Sequence, residues 1–154
     1  MIPHSVYQIF LILHLTAFAV FTGTLIANLI NSNQLWLYSD KDPAITKALF
    51  NTIGKYNTIM GLCLGVALLM GIAMMSQMHK VYGPQLWFRI KIGLLVLLLV
   101  VRVLYSRNLG QLKKGINNDI KISFAEVRKK FSLFQLLTIF IIGGIIILSV
   151  FRFN

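Results

Sequence analysis

Acidic residues are nearly missing from this chain of 154 residues: Asp and Glu together number 4, at Asp40, Asp42, Asp119 and Glu126. All lie in or near the polar stretches between apolar blocks, and no nucleophile–base pair occurs, so nothing points to a hydrolase. Cysteine is reduced to Cys63, which excludes an intramolecular disulfide and reads as a small packing residue. Charge of either sign is scarce, at 12% of residues against 57% hydrophobic, and a soluble domain of this length needs far more polar surface.

The apolar residues instead fall into blocks near 6–29, 57–75, 86–105 and 133–151. Each approaches the ~20 residues that cross a bilayer as a helix. Spanning β-strands would be shorter and strictly alternating. The expected fold class is therefore all-α: one transmembrane domain, an integral membrane four-helix bundle. The opening Met1-Ile2-Pro3-His4 has no Lys or Arg, and the run after it is too long for a signal peptide, so the first block is kept as a span. Two of the 3 prolines mark helix starts. Asp42-Pro43 reads as an N-cap with proline at the first helical position, which starts the second helix well before its apolar block. Gly83-Pro84 opens the third helix in the same way, and Ser123–Glu126 fits a capping box ahead of the fourth. Apolar residues recur at helical spacing from Leu109 to Phe131, broken at Gly115 and Asn117-Asn118, which predicts two helix extensions joined by a turn.

The net charge of +11 would suggest nucleic acid in a soluble protein. Here the cations have a simpler placement and no nucleic acid is expected. Lys41, Lys47 and Lys55 lie between blocks one and two; Arg107, Lys113, Lys114, Lys121, Arg128, Lys129 and Lys130 lie between blocks three and four. The positive-inside rule puts both stretches and the helix extensions in the cytoplasm and both termini outside, a multi-pass arrangement in a bacterial-type inner membrane. The lipid bilayer is then the first partner, with anionic headgroups near the basic faces. Gly61 and Gly65, and Gly143-Gly144, are small-residue positions for close helix approach, within the bundle or in a homodimer or larger membrane complex.

Ionisable side chains inside the apolar blocks call for an explanation, because hydrocarbon disfavours them. His14 lies roughly 14 Å into the first block, close to the midplane. A neutral imidazole suits haem iron, copper or a proton relay, and equally a hydrogen bond to a neighbouring helix. Lys91 and Arg102 are eleven residues apart and share a helix face, whereas Arg89 points nearly opposite Lys91. Arg89 and Arg102 read as snorkelling cations; Lys91, facing inward, would pair with an anionic ligand or headgroup. Met70 and Met74 are the candidates for a thioether ligand beside His14, Met70 lying at a comparable depth. His4 and His79 belong to the outer interface.

The stretch Leu13-His14-Leu15-Thr16-Ala17-Phe18-Ala19-Val20-Phe21-Thr22-Gly23 resembles the first-helix pattern of the copper-resistance protein D (CopD) superfamily. In that pattern a Leu-His is followed by an aromatic residue and then a glycine. Phe21 stands where tryptophan is usual, and Thr24 replaces a frequent second glycine. Arg89-Ile90-Lys91 and the apolar run after it, ending at Ser106-Arg107-Asn108-Leu109, are similar to the lysine-bearing helix of that superfamily. Its small four-helix members include HemJ-type protoporphyrinogen oxidases, which bind haem b. Leu25-Ile26-Ala27-Asn28 occupies the place of their Pro-Arg. The resemblance implies a haem b-binding, redox-active membrane protein, a haem-dependent oxidoreductase or electron carrier. In that reading His14 is the match to the haem or metal ligand, and Lys91 the match to the third-helix lysine. Copper handling is a further expectation, with His14 and span-two methionines as ligands. A non-catalytic membrane subunit or assembly factor is another.

Overall fold

The computed structural model describes residues 4–39, 41–82, 85–117 and 124–151, with the side chains of 4, 77–82, 114–117 and 124–126 outside the description. The all-α expectation holds. Four helices and no strand occur among the described residues: α1 His4–Tyr38, α2 Pro43–Tyr82, α3 Leu86–Asn117 and α4 Phe124–Val150. They fall into two compact units, Met1–Lys80 and Val81–Asn154, each an antiparallel helix pair.

Helix α1 has 35 residues and α2 has 40, about 52 and 60 Å at 1.5 Å per residue. Both exceed the ~30 Å of a hydrocarbon core, so the helices continue past their apolar blocks. The start of α2 is the one anticipated: Asp42 Oδ1 accepts from Ala44 N–H at 2.8 Å and Ile45 N–H at 3.1 Å, capping a helix whose first residue is Pro43. The turn closes as Lys41 N–H and Asp42 N–H both donate to the Tyr38 carbonyl, at 3.0 and 3.1 Å. Thr46 Oγ1 donates to the same carbonyl at 3.0 Å. Helix α3 ends at Asn117, within the break expected near Gly115–Asn118, and α4 begins at Phe124. The Gly83-Pro84 start and the Ser123–Glu126 capping box lie outside the described residues.

Three helices are long and apolar enough to cross a membrane: Ser5–Tyr38, Pro43–Ser76 and Val127–Val150. The expected span at 86–105 is helical but is not among them. Arg89, Lys91 and Arg102 break its apolar run, leaving the stretch 92–101 between cations. The surface supports the same environment. Leu62, Leu69, Ile72 and Phe140 are 69, 63, 66 and 69% exposed, while Asn28, Ser32 and Thr138 are 0, 1 and 3% exposed. A chain that turns its leucines outward and its amides inward is suited to lipid rather than water. Hydroxyls are hidden by bonding back to their own helices: Thr24 to Val20 at 2.7 Å, Thr52 to Ala48 at 3.0 Å, and Thr138 to Phe134 at 2.8 Å. The protein is an integral membrane protein.

In the first unit, buried residues step by fours and threes, with one step of seven from Ile53 to Met60. Phe21, Leu25, Asn28, Ser32 and Leu35 mark α1; Thr46, Phe50, Ile53, Met60, Leu64 and Ala67 mark α2. This is the spacing of two helices that hold one seam together over many turns. In the second unit α3 turns Leu98, Tyr105, Leu109 and Leu112 inward, and α4 turns Phe131, Gln135, Thr138 and Ile145 inward. Tyr105 lies 4.9 Å from Phe131 and 6.5 Å from Phe134, centroid to centroid. Side chain meets backbone most closely at Gly144, where a Cβ would lie 3.2 Å from Leu94 Cδ1.

Candidate functional site

His14 continues the α1 seam one step beyond Ala17 and Phe18, toward the N-terminal end of the helix. Its ring is partly buried against α2, and Nδ1 lies 2.6 Å from the Ala67 carbonyl oxygen. A backbone carbonyl can only accept, so Nδ1 carries the hydrogen and donates it. In the neutral ring this leaves Nε2 with the lone pair. The Ala67 oxygen also closes the α2 turn to the Gly71 N–H, one carbonyl serving both donors through its two lone pairs. Gly71 itself faces the ring: a Cβ there would stand 3.2 Å from His14 Cε1 and 3.4 Å from Nδ1. The glycine leaves the depth in which the imidazole lies.

The methionines expected near His14 sit on the adjoining face. At 100° per residue Met74 falls within about 20° of Ala67 around α2, and Met70 within about 60°. Both are partly buried. Met74 is nearer the Ala67 stripe in angle but lies about 10 Å along α2 from Ala67, whereas Met70 lies about 4.5 Å along it. The side chains of His4 and His79 lie outside the described residues. Among the described residues there is no cluster of three or more His, Cys, Asp or Glu side chains able to hold a metal ion.

Lys91 and Arg89 belong to the second unit. Lys91 is partly buried and its Nζ donates to Ser149 Oγ on α4 at 2.8 Å; that hydroxyl donates in turn to the Ile145 carbonyl at 2.7 Å. Arg89 is exposed, as a snorkelling side chain would be. Arg102 is not: at 8% exposure it is buried, its guanidinium carbon 5.3 Å from the centre of the Tyr105 ring. The snorkelling expectation for Arg102 is thus corrected: it lies on the face of α3 that also buries Leu98 and Tyr105, and Tyr105 packs on Phe131 of α4. Buried Gln135 and Thr138 lie at a similar level of α4, given the pairings of Lys91 with Ser149 and Tyr105 with Phe131.

Sequence reasoning missed this polar level and the one formed by Asn28 and Ser32, both on the α1 seam. The signal available was their spacing from Phe21 and Leu25. Of the glycines that sequence reasoning chose, Gly144 is closely approached, whereas a Cβ at Gly61, Gly65 or Gly143 would meet nothing within 4 Å, and Gly71 was missed. Cys63 is buried and free, as a packing residue would be.

Comparison with known proteins adds no relative: no family model, no curated protein and no solved structure matches the chain.

Proposed function

We propose that this integral membrane protein binds haem b through His14 Nε2 and works as a membrane redox carrier, in the manner of the CopD/HemJ-like proteins it resembles. The observation that carries the reading is the 2.6 Å bond from Nδ1 to the Ala67 carbonyl. Histidines that ligate metals characteristically donate their other ring N–H to a carbonyl or carboxylate, which fixes the tautomer and makes the ligating nitrogen more basic. The bond orients the ring so that Nε2 is the nitrogen left to bind, a donor suited to haem iron. Bound haem would supply reversible one-electron chemistry at the iron. The chain itself would orient the imidazole through the Ala67 carbonyl, with Gly71 leaving it room. Lys91 has its own partner in Ser149, and the haem reading rests on His14 without it. Copper is less well served, because Cu(I) favours several soft ligands and the described residues offer one imidazole with Met70 and Met74 on the neighbouring face.

An absorption spectrum of protein purified in mild detergent from haem-sufficient cells tests the proposal. It should show a Soret band in the wild type and none in His14→Ala. Colourless, haem-free wild-type protein would overturn it. The orientation belongs to the same reading: basic turns in the cytoplasm and termini outside, in a bacterial-type inner membrane. On a Cys63→Ser background, a cysteine at Ser39 should react with an impermeant maleimide only from the cytoplasmic side.

A second reading, a non-catalytic membrane subunit, is favoured by the same bond. A histidine hydrogen-bonded across a helix pair is already satisfied as a structural element. A reproducible co-purifying membrane partner, without chromophore or metal, would select this reading over the first.

A further inference from the structure

We infer that Gly71 is a positioning residue: with the Ala67 carbonyl it forms a seat on α2 that selects the Nδ1–H tautomer of His14 and holds Nε2 as the ring's basic nitrogen. The inference deepens the haem reading but depends on it only for what Nε2 receives. The two elements of the seat are four residues apart, one turn of α2, and therefore lie on one face. One supplies the acceptor at 2.6 Å; the other supplies room, since even a methyl group at residue 71 would press on Cε1 and Nδ1 at 3.2 and 3.4 Å.

These two contacts explain why glycine is needed here and not at the glycines about two and three turns away. Gly61 and Gly65 have open space over their Cα atoms, so a methyl group there would meet nothing within 4 Å, His14 included. At Gly71 an added methyl pushes the same ring edge that carries the donated hydrogen. The ring must move along the direction that lengthens its bond to Ala67. A larger side chain must turn it out of the seat, and the preference between tautomers then disappears. Nitrogen in an apolar span that can carry its proton on either side is a weaker ligand, because part of the population presents N–H where the lone pair is required.

The test needs no haem. Full-length protein labelled with ¹⁵N-histidine is placed in lipid nanodiscs, with His4→Gln and His79→Gln so that every ring signal belongs to His14. Spectra are recorded well above the ordinary imidazole range. The wild type should show a protonated Nδ1 and a pyridine-type Nε2. In Gly71→Val the ratio of Nδ1–H to Nε2–H should fall about fivefold, the worth of one ordinary hydrogen bond. Gly71→Ala should move it in the same direction by less, and Gly61→Ala should leave the spectrum unchanged. A wild-type ring that is mainly Nε2–H would overturn the seat, as would wild-type ring shifts in Gly71→Ala and Gly71→Val alike. Should the valine variant not fold, unchanged shifts in the alanine variant suffice to overturn it. A haem-free wild type with the Nδ1–H pattern would sink the haem reading and leave the seat standing.

Discussion

The two helix pairs solve the same problem, joining long helices in an apolar solvent, by different means. The α1–α2 pair is joined by a tight capped turn, a regular seam of mainly aliphatic and small residues, and a side chain donating to backbone. The α3–α4 pair relies on an aromatic group around Tyr105, a buried cation and a lysine–serine bond. The first pair stores little in any one side chain. The second concentrates its contacts in a few large ones, and the contrast predicts where each is fragile.

Phe131→Ala should break the second pair most severely, since it removes a ring that is 1% exposed and packed at a tilt against Tyr105. A loss of about 3–5 kcal/mol is expected, read by thermal or denaturant unfolding in a mild detergent. An equal loss from Leu25→Ala or Leu35→Ala would erase the contrast. Next in size, Gly144→Val should cost about 1–3 kcal/mol by overpacking against Leu94, whereas Gly143→Val should cost much less. Parallel melting curves of the two variants decide that point. For the first pair, Asp42→Ala removes the acceptor of two backbone donors and should cost about 1 kcal/mol, with Asp42→Asn retaining most of it. Smallest is Ser149→Ala, which takes one hydrogen bond from Lys91; bonds of this kind between membrane helices average about 0.6 kcal/mol. A double-mutant cycle with Lys91→Met isolates that value.

Helices and their ends were legible in the sequence wherever the signal was local. Pro43 behind Asp42 opens α2 as expected, because capping needs only neighbours in the chain. His14 was also legible, since a histidine deep in an apolar block stands out without a structure. What could not be read was anything set by the partner helix. Gly71 looks less suited to packing than the Gly61–Gly65 pair until α1 places His14 over it. Arg102 resembles any snorkelling cation until the face it shares with Leu98 and Tyr105 is seen to be buried. The seam residues Asn28 and Ser32 read as interruptions in an apolar helix, although their spacing from Phe21 and Leu25 marks them as inward. Burial depends on register between helices, and register is a property of the pair.

The buried Arg102 has a consequence for how the chain is made. A translocon sorts each emerging helix by its apparent transfer energy, and a cation in a segment counts against release into lipid, by about 2.5–3.5 kcal/mol at the centre and by less toward the ends. Helix α3 carries that arginine after only a short uncharged stretch, whereas α4 is a strong apolar span. Tyr105 beside Arg102 lies on α3 itself, but the Phe131 ring packed against Tyr105 exists only once α4 has been synthesised. Helix α3 is therefore expected to wait at the insertion site and enter the bilayer together with α4, so that a nascent chain ending near residue 117 would stay open to chaperones and proteases.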